Sequence, residues 1–263
     1  MPFVTFDATD ATRTGNKFIQ YLTCKLIGHI FGHTYTSLLQ EDVYVLEEGD
    51  FATILKEKPY YLSFVNIRIK GLFQRSEFFV PHRSALLDLV YDPENNDYWN
   101  TGEKLCFVKD LIVDSPSIIT EKDVCMSIRL NDFLHYPFRS KSDIPYPSYY
   151  KNILEGLDFQ NLYIICDTVK EEWEWKYISH FWRWNPILLQ GSFEQDCSLM
   201  RNCKRLIHSN STLCWVMSFL SRGHKERYIP NTRYYPEQCL EAICDGDIVL
   251  YPETMKHSEL KGL

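Results

Sequence analysis

The second half of the chain is built on one alternation, in which short, continuously apolar runs are separated by longer stretches of helical period. Residues 124–128, 162–166, 187–189, 206–208 and 228–229 form the runs, and 147–156, 169–181, 197–203 and 211–220 form the stretches between them. A strand with one wet face alternates apolar and polar residues. These runs stay apolar on both sides, so each is expected to be covered by helices above and below. Strands joined through helices pair in parallel, because the crossover returns the chain to the same edge of the sheet. The pattern predicts a parallel α/β sheet, and in such sheets ligands gather at the carboxyl ends of the strands.

The first half opens in the same way. An apolar run at residues 3–6 leads through a polar loop to Gly15, after which Phe18, Leu22, Leu26 and Ile30 recur every four residues along one helical face. Further strands are expected at 42–46, 61–69 and 78–80, with Gly49, Gly71 and Pro81 as punctuation. Asp114-Ser115-Pro116-Ser117 marks a seam, since proline restricts its predecessor and serine and aspartate favour turns. It divides the chain into an N-terminal α/β domain, 1–116, and a C-terminal one, 117–263.

Charge narrows the function classes. With 28 Lys and Arg against 35 Asp and Glu the net charge is −7, and no basic stripe offsets it, so nucleic acid is not an expected partner. The nine cysteines form neither a CxxC pair nor a zinc-ligand rhythm and read as reduced, buried thiols. The first residues lack the basic and apolar regions of a signal peptide. The longest uncharged stretch, 206–221, is interrupted by His208, Ser209, Asn210, Ser211 and Thr212 and does not read as a membrane span. A cytoplasmic protein of bacterial or viral type is the expectation.

Several motifs are set aside. Neither GxGxxG nor GxxxxGK occurs. His29 and His33 stand one helical turn apart but lack the glutamate of HExxH, and they read as helix-surface histidines. Asp245-Gly246-Asp247 has the DxD form that holds a divalent ion on a nucleoside diphosphate, yet its context reads as a solvated turn. Trp173, Trp175, Trp182 and Trp184 read as packing aromatics rather than a sugar-stacking surface.

Three segments share one chemistry. Arg13-Thr14-Gly15-Asn16 is a turn entering a helix, where backbone N–H groups and the positive end of the dipole are available and Asn16 presents an amide. Arg129, within Ser127-Ile128-Arg129-Leu130-Asn131-Asp132, follows an expected buried strand. Its permanent charge suits bidentate contact with phosphate, or alternatively an ion pair with Asp132 that closes the strand end. Ser209-Asn210-Ser211-Thr212 sets four polar side chains at the mouth of a helix, more than a cap requires. The ligand class these groups fit is a nucleoside diphosphate whose departing charge is stabilised by the protein.

In these segments the chain resembles the α-1,2-fucosyltransferase family, glycosyltransferase family eleven, within the wider fucosyltransferase superfamily. Arg13, Gly15, Asn16, Gln20 and Tyr21 match the family's opening G-R-L-G-N-Q-M-F-Q-Y. Ile128, Arg129 and Asp132 match its H-I-R-R-G-D, while Ser127, Leu130 and Asn131 depart from it. Pro147-Ser148-Tyr149-Tyr150-Lys151, Leu162 to Asp167, Asp196 to Trp215 and Ile229-Pro230 look like later family stretches, in the same order. The resemblance implies a GT-B type α/β fold, two Rossmann-like domains facing across a cleft. It also implies inverting transfer of L-fucose from GDP-fucose to a glycan hydroxyl, with galactose the expected acceptor and no metal or further cofactor. The N-terminal domain would take the acceptor side and the C-terminal domain the nucleotide sugar.

By the same resemblance Arg129 is the donor-phosphate arginine and Asn16 orients the reacting partners. Arg13, Gly15, Asp167, Asn210, Ser211 and Thr212 line the donor. Asp132 is a candidate general base, with Asp10 beside it. Leu130 in place of the second arginine leaves two alternatives open. One is a transferase of the same fold with another nucleotide sugar, and the other is a degenerate member that only binds glycan or nucleotide.

Overall fold

A computed structural model describes residues 1–8, 13–39, 41–101, 105–114, 119–130, 144–231, 240, 242–255 and 259. The chain divides into two compact units, Met1–Val113 and Asp114–Leu263. Of the expected seam, Ser115, Pro116 and Ser117 lie outside the described residues.

In the N-terminal unit the strands β1 (Phe3–Phe6), β2 (Thr34–Tyr35), β3 (Tyr44–Glu47) and β4 (Ile67–Lys70) form a parallel sheet in the order β2-β1-β4-β3. Helix α1 (Thr14–Phe31) joins β1 to β2 and buries Phe18, Ile19, Leu22, Leu26 and Ile27. It ends where Gly32 takes φ 79 and its N–H bonds to Gly28 O, a left-handed cap that favours glycine. Helix α2 (Glu48–Glu57) follows β3.

Two strand expectations fail here. Residues 61–69 hold a 3-10 turn, Tyr60–Phe64, before β4 begins, because only Leu62 of that turn is buried while Tyr60, Tyr61 and Phe64 are exposed, a period nearer three than two. Residues 78–80 belong to α3 (Ser76–Phe79) and the turn after it. Phe78 and Phe79 are both buried, and successive strand residues would have pointed to opposite faces. The unit continues with α4 (Arg83–Val90), an antiparallel pair of β5 (Tyr98–Asn100) and β6 (Leu105–Phe107), and α5 (Val108–Leu111).

The C-terminal unit follows the predicted alternation closely. Its elements run β7 (Val124–Ile128), β8 (Ile144–Pro145), α6 (Pro147–Glu155), β9 (Leu162–Cys166), α7 (Glu172–Ser179), β10 (Ile187–Leu189), α8 (Phe193–Asn202), β11 (Arg205–Ile207), α9 (Thr212–Leu220), β12 (Glu226–Pro230), β13 (Ile248–Leu250) and β14 (Thr254–Met255). Six of the strands form one parallel sheet in the order β10-β9-β7-β11-β12-β13, which in chain order is 3-2-1-4-5-6. This is the doubly wound order, in which the chain starts at the centre, winds outward to one edge, and returns to wind outward to the other. The short strands β8 and β14 pair antiparallel.

The two-residue period of β7 sorts its faces. Val124, Met126 and Ile128 join the apolar cluster that includes Tyr149, Tyr150, Ile153 and Leu154 of α6 and Tyr177 and Ile178 of α7. Cys125 and Ser127 turn the other way, toward Cys203, Cys214 and Ser209 beside α8 and α9. Among the described residues no helix is long and apolar enough to cross a membrane.

Candidate functional site

β7 and β11 are neighbours, yet the helices that follow them lie on opposite faces of the sheet, α6 over Met126 and α9 beside Ser127. The crevice outside the carboxyl ends of two such strands is the usual ligand position in this topology. Two of the polar segments predicted from sequence, 127–129 and 209–212, meet there. Continuing the period of β7, Arg129 follows Ser127 onto the α9 side, and its Nη1 donates to Ser211 Oγ at 3.1 Å. Ser127 Oγ and Ser209 Oγ, both buried, share a 3.1 Å hydrogen bond that ties the two strand ends together.

Ser211 is the N-cap of α9, and its Oγ also accepts from Cys214 N at 3.5 Å. A serine hydroxyl has two acceptor positions and one proton. With Arg129 and the helix amide occupying the acceptors, the proton remains to be donated outward, beside a guanidinium and the positive end of a nine-residue helix. Asn210 and Thr212, half-exposed, flank it. Ser209 is interior and anchors the turn, so the four polar side chains divide into one anchor, one cap and two that border the crevice.

The strand ends are clamped by groups that sequence reasoning did not place. Tyr150 OH donates to Ser127 O at 3.3 Å, and Tyr149 OH lies 3.3 Å from His208 O and 3.1 Å from Tyr228 O. His208 N donates to Tyr228 O at 2.9 Å, and its ring Nε2 meets Ser218 Oγ at 3.1 Å. Burial, with His224 and Arg227 nearby, holds the His208 imidazole well below its ordinary pKa and therefore neutral. The available signal was the pair of adjacent tyrosines in α6, both too apolar in context to be solvent-facing.

Asp167 is exposed just past β9, the second strand of the winding and the usual place for a carboxylate that accepts from a ribose hydroxyl. Asp196, in the first turn of α8, is pushed up to about 6 by burial and then by the charge of Asp167. Leu130 is 3% exposed and joins the apolar cluster, so it is a core side chain beside Arg129.

Arg13, Gly15 and Asn16 belong to the N-terminal unit. Arg13 is the N-cap of α1 and makes no side-chain cap bond, Gly15 is buried in the first turn, and Asn16 Oδ1 accepts from Gln74 Nε2 at 2.7 Å. Asp10 and Asp132 lie outside the described residues.

The motifs set aside also resolve. Asp247 corrects the solvated-turn expectation. Its side chain is 3% exposed, with one oxygen paired to Arg227 Nη1 at 2.7 Å and the other accepting the Ile243 and Cys244 amides. His33 lies past Gly32, off the helix, and is buried with Nε2 against Val65 O, which corrects its reading as a helix-surface residue. Trp173 and Trp184 pack on the core as expected, whereas Trp175 and Trp182 are exposed. Among the described residues no three His, Cys, Asp or Glu side chains come together as metal ligands, and the described cysteines are free thiols. No protein-family model matches the chain, and no curated protein matches it.

Proposed function

We propose that the chain is a sugar transferase that takes its donor from a nucleoside diphosphate, GDP-fucose on the reading the resemblance implies, and places it on a glycan hydroxyl. The observation that carries this reading is the seat of Arg129 at the β7–β11 crevice, joined to the N-cap of α9 through Ser211. In the proposed reaction the acceptor oxygen attacks the anomeric carbon opposite the diphosphate. The carbon–oxygen bond to the diphosphate breaks, and the acceptor's proton passes to a general base, for which Asp132 and Asp10 are the candidates. Negative charge grows on the departing diphosphate. Arg129, the outward proton of Ser211 and the first amides of α9 are groups already oriented to receive it.

In this scheme Asp167 accepts from the ribose, and Asn210 and Thr212 border the donor. The proposed arrangement is GT-B type, with the N-terminal unit taking the acceptor side, Arg13 and Gly15 lining the donor and Asn16 orienting the reacting partners. One observation favours a second reading. Leu130 is committed to the core, so a diphosphate held by a single arginine would bind less tightly, which suits another nucleotide sugar or a protein that only binds.

Incubation with a panel of nucleotide sugars, with and without chelator, separates these by the nucleoside diphosphate released. Release from GDP-fucose alone, indifferent to chelator, is the expected result. Release from a different donor would replace GDP-fucose, and binding without release from any donor would leave only the binding protein.

A further inference from the structure

β3 is an edge of the N-terminal sheet, and the surface beside it is aromatic. Helix α2 ends at Lys58, which takes φ 47 while its N–H bonds to Ile54 O, and Pro59 at φ −63 leads into the 3-10 turn of Tyr60–Phe64. Leu62 is fully buried and anchors that turn. The side chains around it face outward, with Tyr60 78%, Phe64 66% and Tyr61 55% exposed. The ring of Tyr61 stands 6.4 Å from that of Tyr44 in β3, and the ring of Tyr60 stands 4.9 Å from that of Phe64, so strand and turn present one surface.

The outer side of β3 has no neighbouring strand among the described residues. Tyr44 N donates to Asn66 O, and in a parallel ladder alternate residues bond to the same neighbour. Tyr44 and Leu46 therefore direct their backbone groups to β4, while the N–H and C=O of Val45 point to the open side. Sheet edges are commonly blunted by lysine, proline or a bulge. Tyr44, Val45 and Leu46 supply neither residue, and their register with β4 is unbroken. At about 200 Å² for a whole aromatic side chain, the exposed fractions leave roughly 500 Å² of apolar surface in water, a patch of the size that marks a contact site.

We propose that a second copy of the chain docks on this face, the two β3 edges pairing antiparallel about a twofold axis. An edge strand turned by 180° is complementary to itself, because Val45 offers one donor and one acceptor that meet the same two groups of its counterpart. Two such patches together bury about 1,000 Å², the lower bound of a specific interface. Charge favours the same occupant. The chain carries a net charge of −7, so two copies approach most readily over a surface without carboxylates, and Tyr44, Val45, Tyr60, Tyr61 and Phe64 provide one. Glu47, at the end of the strand, is matched by Lys70 at 3.1 Å. Such a dimer does not depend on the transferase reading.

Sedimentation velocity of the full chain across the micromolar range is expected to show a monomer–dimer equilibrium. Tyr60→Ser combined with Phe64→Ser, both at exposed positions, should weaken it at least about tenfold, with an unchanged circular dichroism spectrum and urea midpoint. Val45→Pro removes the outward N–H and leaves the bonds to β4, so it should weaken the dimer as well. If Val45→Pro does not fold, Val45→Lys, which sets like charges across the axis, is read in its place. A chain that stays monomeric throughout, including one that captures an extended peptide at this edge, overturns the proposal. So does a dimer that the serine pair leaves intact, or one that persists in a folded Val45 variant.

Discussion

The two units place different chemistry at the carboxyl ends of the same kind of sheet. In the C-terminal unit the strand ends are stitched by hydroxyls, Ser127 to Ser209, and carry a permanent cation on the helix cap. In the N-terminal unit they are stitched by amides, Gln74 to Asn16 and Gln20 to Gly71, with a carboxylate packed behind. A helix N-terminus favours negative charge in both places, so the helix alone does not set the ligand. The side chains at its mouth differ, a guanidinium and hydroxyls in one unit and carboxamides in the other.

The largest expected effect tests that division directly. Arg129→Ala should lower turnover by about 10²–10³-fold, the cost typical of removing one charge-stabilising donor, with an unchanged circular dichroism spectrum. Arg129→Lys should recover part of the activity, because a point charge replaces a fork. Unaltered turnover in the alanine variant would remove the reading of the C-terminal site.

Cation loss as such is separated from this by a second arginine of the same unit. Arg227 is matched by Asp247, and both side chains are almost fully buried. Asp247→Asn should therefore cost about 3 kcal/mol of stability, since it strands a buried charge, and leave the donor KM of the folded fraction unchanged. Urea unfolding measures the first, initial rates the second. A shifted donor KM would mean that the two arginines are coupled and that Arg129 is not the distinct phosphate group.

Ser211→Ala should be milder. It loses an N-cap, about 1 kcal/mol of stability, and raises the donor KM, because the Arg129–Ser211 bond and the outward proton disappear together. Ser211→Thr keeps the hydroxyl and should restore both. Rescue of stability without rescue of KM would assign Ser211 to capping alone.

The winding of the C-terminal unit was legible because its strands are buried on both faces. Val124–Ile128 and Leu162–Cys166 are wholly buried in the structure, and continuous apolarity is the sequence form of that fact. The N-terminal unit was less so. Its edge strand β3 exposes Tyr44, Val45 and Glu47 and buries only Leu46, and the aromatics of 60–64 look strand-like although the turn they form buries only Leu62. The site divides in the same way. Arg129 and Ser211 were legible because charge and capping are local chemistry, but 82 residues separate them, and only the sheet order joins them. Gln74 left no local signal, since its role comes from the left-handed backbone at Phe73. Asp247 misled because an Asp-Gly-Asp turn looks solvated whichever carboxylate is buried.

The smallest effect concerns the acidic side of the C-terminal crevice. Burial and the neighbouring Asp167 raise Asp196 from 3.8 to about 6 in the folded chain. A carboxyl raised on folding binds its proton more tightly in the folded state, so it penalises folding where it must be ionised. The penalty is complete above pH 6, shrinks as pH falls through 6, and is gone below 4. Asp196→Asn should then stabilise the protein at pH 8 and leave it unchanged at pH 4. The gain, discounted for a partly wet carboxyl, is on the order of 1 kcal/mol or less. Other groups titrate over the same range, so the quantity to follow is the difference between variant and wild type in matched urea titrations. A difference that is flat with pH would mean that Asp196 is not raised on folding, and its surroundings would then be an ordinary hydrated surface. A difference that closes as pH falls places Asp196 in a partly desolvated setting beside Asp167.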